Sequence, residues 1–194
     1  MKSTYLVLDM QNDIVHADGL YASGPIGSEV RSRNVLANTS RAIEKARQGS
    51  IPIIFVRLGF SVDYKECPDR SPMFAPARGK KLFQLGAWGT EIHPSLDRQE
   101  NDAIVTKHRV SPFYSTGLEA LLRAQSVEHV FVSGVSTTAV VQAAIRDAHD
   151  RDYVCSVIED GCAAGSSDEH RQSIEMLKRF ATITNSEDVV FPAC

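Results

Sequence analysis

Three sets of polar residues each follow a short apolar run, a placement in which they could do chemistry together. Asp9 follows YLVL, Lys107 follows AIVT, and a Ser-Thr-Thr run at 136–138 follows VFVSGV. A carboxylate and an ammonium in one site partly shielded from water affect each other's protonation. The ammonium favours the ionised carboxylate, whereas burial raises the pKa of the carboxyl group and lets it donate a proton. Backbone N–H groups at a helix start can hold a developing oxyanion. Together the three sets favour acid–base chemistry.

Each set also has a structural explanation when it is taken alone. Asp9 can cap a turn, Lys107 can be a solvated strand end, and the run at 136–138 can turn the chain and cap a helix. The coincidence of the three is what supports a site. The elements that carry them therefore have to bring them to one place.

Strands and helices alternate along the whole chain, which is typical of a parallel sheet with helices on both faces. The carboxyl ends of such strands share one edge of the sheet, so residues far apart in sequence can meet there. We interpret residues 1–194 as a single domain, since no repeat, low-complexity tract or linker interrupts the pattern. The predicted strands are 5–9, 51–57, 103–107, 130–132, 153–158 and 181–184, and the predicted helices are 28–48, 115–125, 137–150 and 168–180.

The composition excludes several classes of partner. The net charge is −3 and no basic block occurs, which argues against nucleic acid, and no apolar stretch approaches the roughly 18 residues of a membrane span. The four cysteines show neither a CxxC pair nor the spacing of a small secreted domain, so a reduced, cytoplasmic protein is expected. They are Cys67, Cys155, Cys162 and Cys194.

A long segment without clear periodicity, 58–102, lies between the second and third predicted strands and contains four prolines. A segment of this length in a compact domain usually serves as a binding loop, a lid or an oligomer contact.

Several sequence blocks, in this order, resemble the isochorismatase-like hydrolases, also called the cysteine hydrolase family. They are DMQND at 9–13, AWGTEI at 87–92, TKHRVSPF at 106–113, GVST at 134–137 followed by RDA at 146–148, and DGCA at 160–163. The resemblance implies a Rossmann-like, three-layer α/β/α fold with a six-stranded parallel sheet in the order 3-2-1-4-5-6. It also implies a homo-oligomer, a dimer or tetramer, and a cis peptide between Val135 and Ser136.

Asp9 and Lys107 match the catalytic Asp and Lys of this family. The nucleophilic cysteine of its amidase members should lie three positions after Thr137, where this chain has Val140. Valine cannot act as a nucleophile or carry a proton, so an Asp-Lys-Cys acyl-transfer mechanism fails. Nicotinamidase-like members carry an Asp and two His after the second strand, but RLGFSVDYKEC has only Asp63, and we expect neither metal nor another cofactor.

The resemblance and the strand ends predict a set of substrate-binding residues. The turn after the fourth strand would receive substrate oxygen, Arg57 could pair with a substrate carboxylate, and two aromatic residues could wall the pocket. The set is Gln11, Val135, Ser136, Thr137, Val140, Trp88, Arg57 and Tyr114.

Three functions remain open. Family members that hydrolyse isochorismate, a vinyl ether, also lack the cysteine, and TKHRVSPF is closer to their version of the motif. We therefore favour hydrolysis of a small anionic or carbonyl-bearing metabolite, with Asp9 as general acid/base and Lys107 supporting it. The alternatives are hydrolysis of a carbon–nitrogen bond by Asp9-activated water and a scaffold that binds a metabolite or partner without turnover.

Overall fold

The computed structural model describes residues 1–192, so Cys194 and the end of the interpreted domain lie outside the described residues. The strands are Ser3–Leu8 (β1), Ile53–Leu58 (β2), Ala103–Lys107 (β3), His129–Val135 (β4), Val154–Ala163 (β5) and Thr182–Thr184 (β6). All their pairings are parallel, and the sheet order is β3-β2-β1-β4-β5-β6, which confirms the predicted topology.

Within residues 1–192, seven α-helices accompany the sheet. They are Asn12–Val15 (α1), Pro25–Ser32 (α2), Val35–Gln48 (α3), Pro76–Lys80 (α4), Leu118–Ala124 (α5), Gln142–His149 (α6) and Ser167–Leu177 (α7). A wider π-helical turn, Thr137–Val141, leads into α6, and short 3₁₀ turns cover Trp88–Thr90 and Pro94–Leu96. None of the helices within residues 1–192 combines the length and the apolar character that crossing a bilayer demands.

The sheet has a hydrophobic core on each face, which explains its unbroken apolar strands. Tyr5 and Val7 of β1 belong to the core under α2 and α3, whereas Leu6 and Leu8 belong to the core under α5, α6 and α7. All six residues of β1 are buried. A strand covered on both faces needs apolar residues at consecutive positions, because successive side chains point to opposite faces. The three-layer α/β/α architecture is thus confirmed.

Two predicted elements have different bounds. The single helix predicted over 28–48 is two helices, α2 and α3, separated at Asn34, which adopts a left-handed conformation with φ 52°. Asparagine tolerates this conformation better than most residues, so it permits a sharp break. β5 continues past 158 to Ala163, because its pairing with β4 resumes beyond a register shift, with Cys162 opposite Gly134.

Gly134 lets β1 and β4 approach closely just below the carboxyl edge. It lies opposite Leu8 in the register of the two strands. A Cβ at this position would lie 2.6 Å from Leu8 Cβ and 2.7 Å from the Leu8 carbonyl oxygen. The neighbouring backbone cannot yield to such a contact cheaply, so the position needs glycine.

Gly134→Ala should therefore destabilise the protein by about 1–3 kcal/mol, the usual cost of overpacking. The matched control is Gly79→Ala in α4, where a Cβ would meet nothing within 4 Å. Alanine at this helical position should raise the free energy of unfolding by roughly 0.5–1 kcal/mol. Urea denaturation measures both changes. Equal effects of the two substitutions would contradict the proposed role of the close strand approach.

Candidate active site

Asp9 and Lys107 meet at the carboxyl edge of the sheet. Asp9 directly follows β1 with φ 56°, and its backbone N–H donates to the Val56 carbonyl at 2.8 Å. Lys107 ends β3, two strands away, and its side chain reaches across the end of β2. The distance from Lys107 Nζ to Asp9 Oδ2 is 2.8 Å, and the two residues are only 2% and 4% exposed. Nζ also donates to the Arg109 carbonyl at 3.1 Å.

Two opposing effects act on the acidity of Asp9. Burial raises the pKa of the carboxyl group above its usual range, and the charge and hydrogen bond of Lys107 partly oppose that rise. The second oxygen, Oδ1, is buried and has no hydrogen-bond partner within residues 1–192. The protein thus fixes one carboxyl oxygen against the amine and leaves the other uncommitted.

A cavity of about 180 Å³ opens beside this pair. Of the predicted residues, five line it: Asp9, Lys107, Val135, Ser136 and Val140. The rest of the lining is mainly apolar and consists of Ile14, Tyr21, Ile26, Leu58, Met73, Phe74, Phe83, Val110 and Ala139. The volume is below the roughly 300–1,000 Å³ of pockets for drug-sized ligands, so the cavity suits a small molecule.

The turn after β4 forms one wall of the cavity. The Val135–Ser136 peptide is cis, and Val140 lies buried in the π-helical turn that follows. No cysteine within residues 1–192 lines the cavity. Cys155 and Cys162 are buried elsewhere, and burial raises the pKa of each thiol to about 12, which disfavours a reactive thiolate.

Two polar residues predicted to bind substrate instead hold the backbone. The side-chain amide of Gln11 donates to the Leu58 carbonyl at 2.9 Å and accepts from the Leu58 N–H at 2.8 Å. Thr137 is buried behind the turn, with its Oγ1 2.9 Å from His170 Nδ1, and its carbonyl accepts from Ser173 Oγ at 3.2 Å. These contacts position the end of β2 and the turn, and the binding roles of Gln11 and Thr137 stay predictions.

Arg57, Trp88 and Tyr114 also lie outside the cavity lining, and their binding roles stay predictions. Arg57 donates from Nε to Thr106 Oγ1 at 3.1 Å, on the neighbouring strand. Trp88 is half-exposed and packs edge-on against His16, with ring centroids 4.9 Å apart. Tyr114 is 61% exposed and is not among the residues that line the cavity.

The sequence did not single out the aromatic side of the cavity. Phe83 stacks on Tyr21 with ring centroids 5.8 Å apart, and its backbone N–H donates to Asp13 Oδ2 at 2.8 Å, which fixes the ring in place. Met73 and Phe74 come from the same long segment. The length of that segment predicted a binding loop, a lid or an oligomer contact, but no periodicity showed which side chains face inward.

No cluster of three or more His, Cys, Asp or Glu side chains in the described part of the chain is arranged to hold a metal ion.

The sheet order and the pair at its edge define an α/β protein with a buried Asp–Lys pair beside a cavity. A family model described as the Isochorismatase domain matches residues 3–188, so this chain belongs to the isochorismatase family, whose members are hydrolases. It is 29% identical over 192 residues to the isochorismatase family protein YecD of Escherichia coli O157:H7, covering 97% of this chain and 95% of that protein.

One further relative and one solved structure match this chain over most of their own length. The ureidoacrylate amidohydrolase RutB of Acinetobacter baylyi is 27% identical over 193 residues, covering 92% of this chain and 78% of RutB. The crystal structure of a cysteine hydrolase from Pseudomonas syringae pv. phaseolicola superposes with a TM-score of 0.86 at 21% identity, covering 96% of this chain and 90% of that chain.

The ion pair makes a prediction about stability and pH. Lys107→Met leaves a buried carboxyl group without its partner, which should lower the free energy of unfolding by about 3–5 kcal/mol at neutral pH. Because the pKa of Asp9 in the folded variant is raised further, the folded state binds the proton more tightly than the unfolded state. Stability is then retained near the ordinary pKa of 3.8 and lost as the pH rises through the folded-state pKa.

Chemical denaturation of the variant across a pH series measures this loss. The double variant Asp9→Asn/Lys107→Met serves as the control, since it removes both charges and should show no such slope. A loss that is equal at every pH would mean that Lys107 acts through packing instead of charge.

Proposed function

We propose that this protein hydrolyses a small molecule held in the cavity, without a thiol, and that Asp9 carries the protons. The observation that supports this most directly is the buried Asp9 carboxyl group, with Oδ2 on Lys107 and Oδ1 uncommitted, in a cavity where position 140 is valine. Such a group can act as a general acid or base, whereas nothing in the lining supplies a sulfur nucleophile.

The favoured reaction is hydrolysis of a vinyl ether. Protonated Asp9 donates its proton to the enol-ether carbon, which leaves an oxocarbenium ion. Water adds to that cation and returns a proton to Asp9, and the resulting hemiketal separates into a carbonyl compound and an alcohol. Burial favours the protonated acid, and Lys107 stabilises the carboxylate once the proton has left, so the pair serves both halves of the cycle.

Ser136 is the residue proposed to hold a substrate oxygen. It lines the cavity in the turn that begins at Val135, beside the acid. In vinyl-ether hydrolysis a hydroxyl at this position can orient the attacking water, and in carbon–nitrogen bond hydrolysis a hydroxyl or a backbone N–H can receive the negative charge that develops on the carbonyl oxygen. Val140 completes the wall there and contributes only hydrocarbon, which limits how a substrate can lie over the turn.

Hydrolysis of a carbon–nitrogen bond is the second candidate. It is supported by the RutB relative, which is named a ureidoacrylate amidohydrolase. Without a thiol, the Asp9 carboxylate would have to remove a proton from the attacking water. That mechanism requires the opposite protonation state of Asp9 in the resting enzyme, which gives the two candidates different pH profiles.

A substitution series tests the role of Asp9. On a panel of enol ethers, isochorismate among them, and small amides, Asp9→Asn should lower kcat by roughly 100-fold or more, because the amide can neither donate nor accept the proton in the same way. Cys162→Ala should retain the activity, since this thiol is buried away from the cavity. If no compound reacts and a metabolite binds equally to the wild type and Asp9→Asn, the protein is a binding module.

The dependence of kcat on pH separates the two reactions. Because burial raises the pKa of Asp9, a reaction that needs the protonated acid should slow as the pH rises through that pKa. A reaction that needs the carboxylate should instead accelerate over the same range. Steady-state kinetics with saturating substrate measures the profile, and a kcat that does not change with pH would contradict both roles of Asp9.

A further inference from the structure

The two charged side chains in the cavity wall form an ion pair with each other. Asp9 and Lys107 are the charged residues of the lining, and they are paired at 2.8 Å. Lys107 also donates to the Arg109 carbonyl, so two of its donors have fixed acceptors. Above the pKa of Asp9 the two charges cancel. While Asp9 is ionised, a ligand therefore meets a wall with no net charge.

The guanidinium groups of Arg57 and Arg109 are held by other parts of the protein and do not line the cavity. Arg57 donates to Thr106 and, at 3.4 Å, to the Thr90 carbonyl. Arg109 donates from Nη1 to the backbone carbonyls of Glu66 and His108. Neither arginine lines the cavity.

A negative charge lies behind the aromatic wall. The Asp13 carboxylate accepts a hydrogen bond from the Phe83 N–H. Burial raises the pKa of Tyr21 most, and the negative charge of Asp13 raises it further. Tyr21 lines the cavity, so the field of Asp13 reaches it. This carboxylate disfavours a second anion in the same place.

The remaining wall is suited to hydrocarbon. Ile14, Phe74, Phe83 and Val110 line it together with the side chains of the turn. The polar groups left for a ligand are Asp9 Oδ1, the third N–H of Lys107 Nζ and the hydroxyl groups of Ser136 and Tyr21. A buried ligand charge would lose its hydration and find no counter-charge that is not already paired, whereas one uncharged polar group can be satisfied by these donors and acceptors.

We propose that this cavity selects an uncharged molecule with a compact apolar body and one polar group placed against Asp9 and Ser136. This inference rests on the proposed function, because it takes the cavity as the substrate site, and it applies to the state in which Asp9 is ionised. It favours the carbonyl-bearing alternative over the anionic one, and it makes carboxylates such as isochorismate and ureidoacrylate poor ligands.

Three probes of one shape and different charge test the selection. Benzamide is neutral, whereas benzoate is an anion and benzylamine a cation at about pH 8. Isothermal titration calorimetry with the wild-type protein should show benzamide binding at least about tenfold more tightly than either ion. Equal affinities, tighter binding of an ion, or no binding of benzamide would overturn the proposal.

A matched pair of variants locates the effect in the cavity. Met73 lines the cavity and Met176 lies on α7 outside it, and both residues are 54% exposed. Met73→Lys adds an unpaired ammonium to the wall and should tighten benzoate binding by about tenfold while changing benzamide binding little. Met176→Lys should change neither. An equal gain in benzoate binding by both variants would show that the effect comes from net charge alone and would overturn the assignment.

The binding assay and the kinetic assay test the two proposals separately, so either proposal can fail while the other stands. Neutral selection without loss of activity in Asp9→Asn would leave the ligand class intact and remove the proposed role of Asp9. Loss of activity in Asp9→Asn together with tight benzoate binding would do the reverse.

Discussion

The ion pair between Asp9 and Lys107 is the interaction on which the site depends. Removing two charges from water costs several kcal/mol for each ion, and their attraction compensates only when the geometry is close. The sheet meets that condition because β1 and β3 flank β2 and end at the same edge. A displacement of either strand would leave a buried charge unpaired. The register of three strands and the chemistry of one carboxyl group are therefore linked.

The frame around the pair is built by polar side chains that bind backbone. Gln11 connects the start of the loop after β1 to both backbone groups of Leu58, next to the point where Lys107 crosses. Thr137 fixes the turn to α7 through His170 and Ser173. Gly134 allows β1 and β4 to approach. These residues act on the site by holding in place the backbone that carries Asp9, Leu58 and Ser136.

Strand ends were predictable from the sequence, whereas side-chain directions were not. Asp9 and Lys107 follow apolar runs, and parallel strands share a carboxyl edge, so their meeting follows from local pattern and topology. Gln11 and Thr137 occupy equally suggestive positions, yet a sequence does not show whether an amide or hydroxyl faces a cavity or a neighbouring backbone. Phe83 lies in a segment without periodicity, and its orientation depends on a hydrogen bond to Asp13, 70 residues earlier in the chain.

Val140 connects the missing nucleophile with the character of the cavity. A cysteine at this position would place a polarisable, ionisable atom in the wall, and the neighbouring Lys107 would favour its thiolate. Valine removes that atom and continues the hydrocarbon surface formed by Val135 and Ala139. Lys107 is then left with Asp9 as its only charged partner in the lining. Valine at position 140 therefore supports both the proposed dependence on a carboxyl group and the proposed preference for an uncharged ligand.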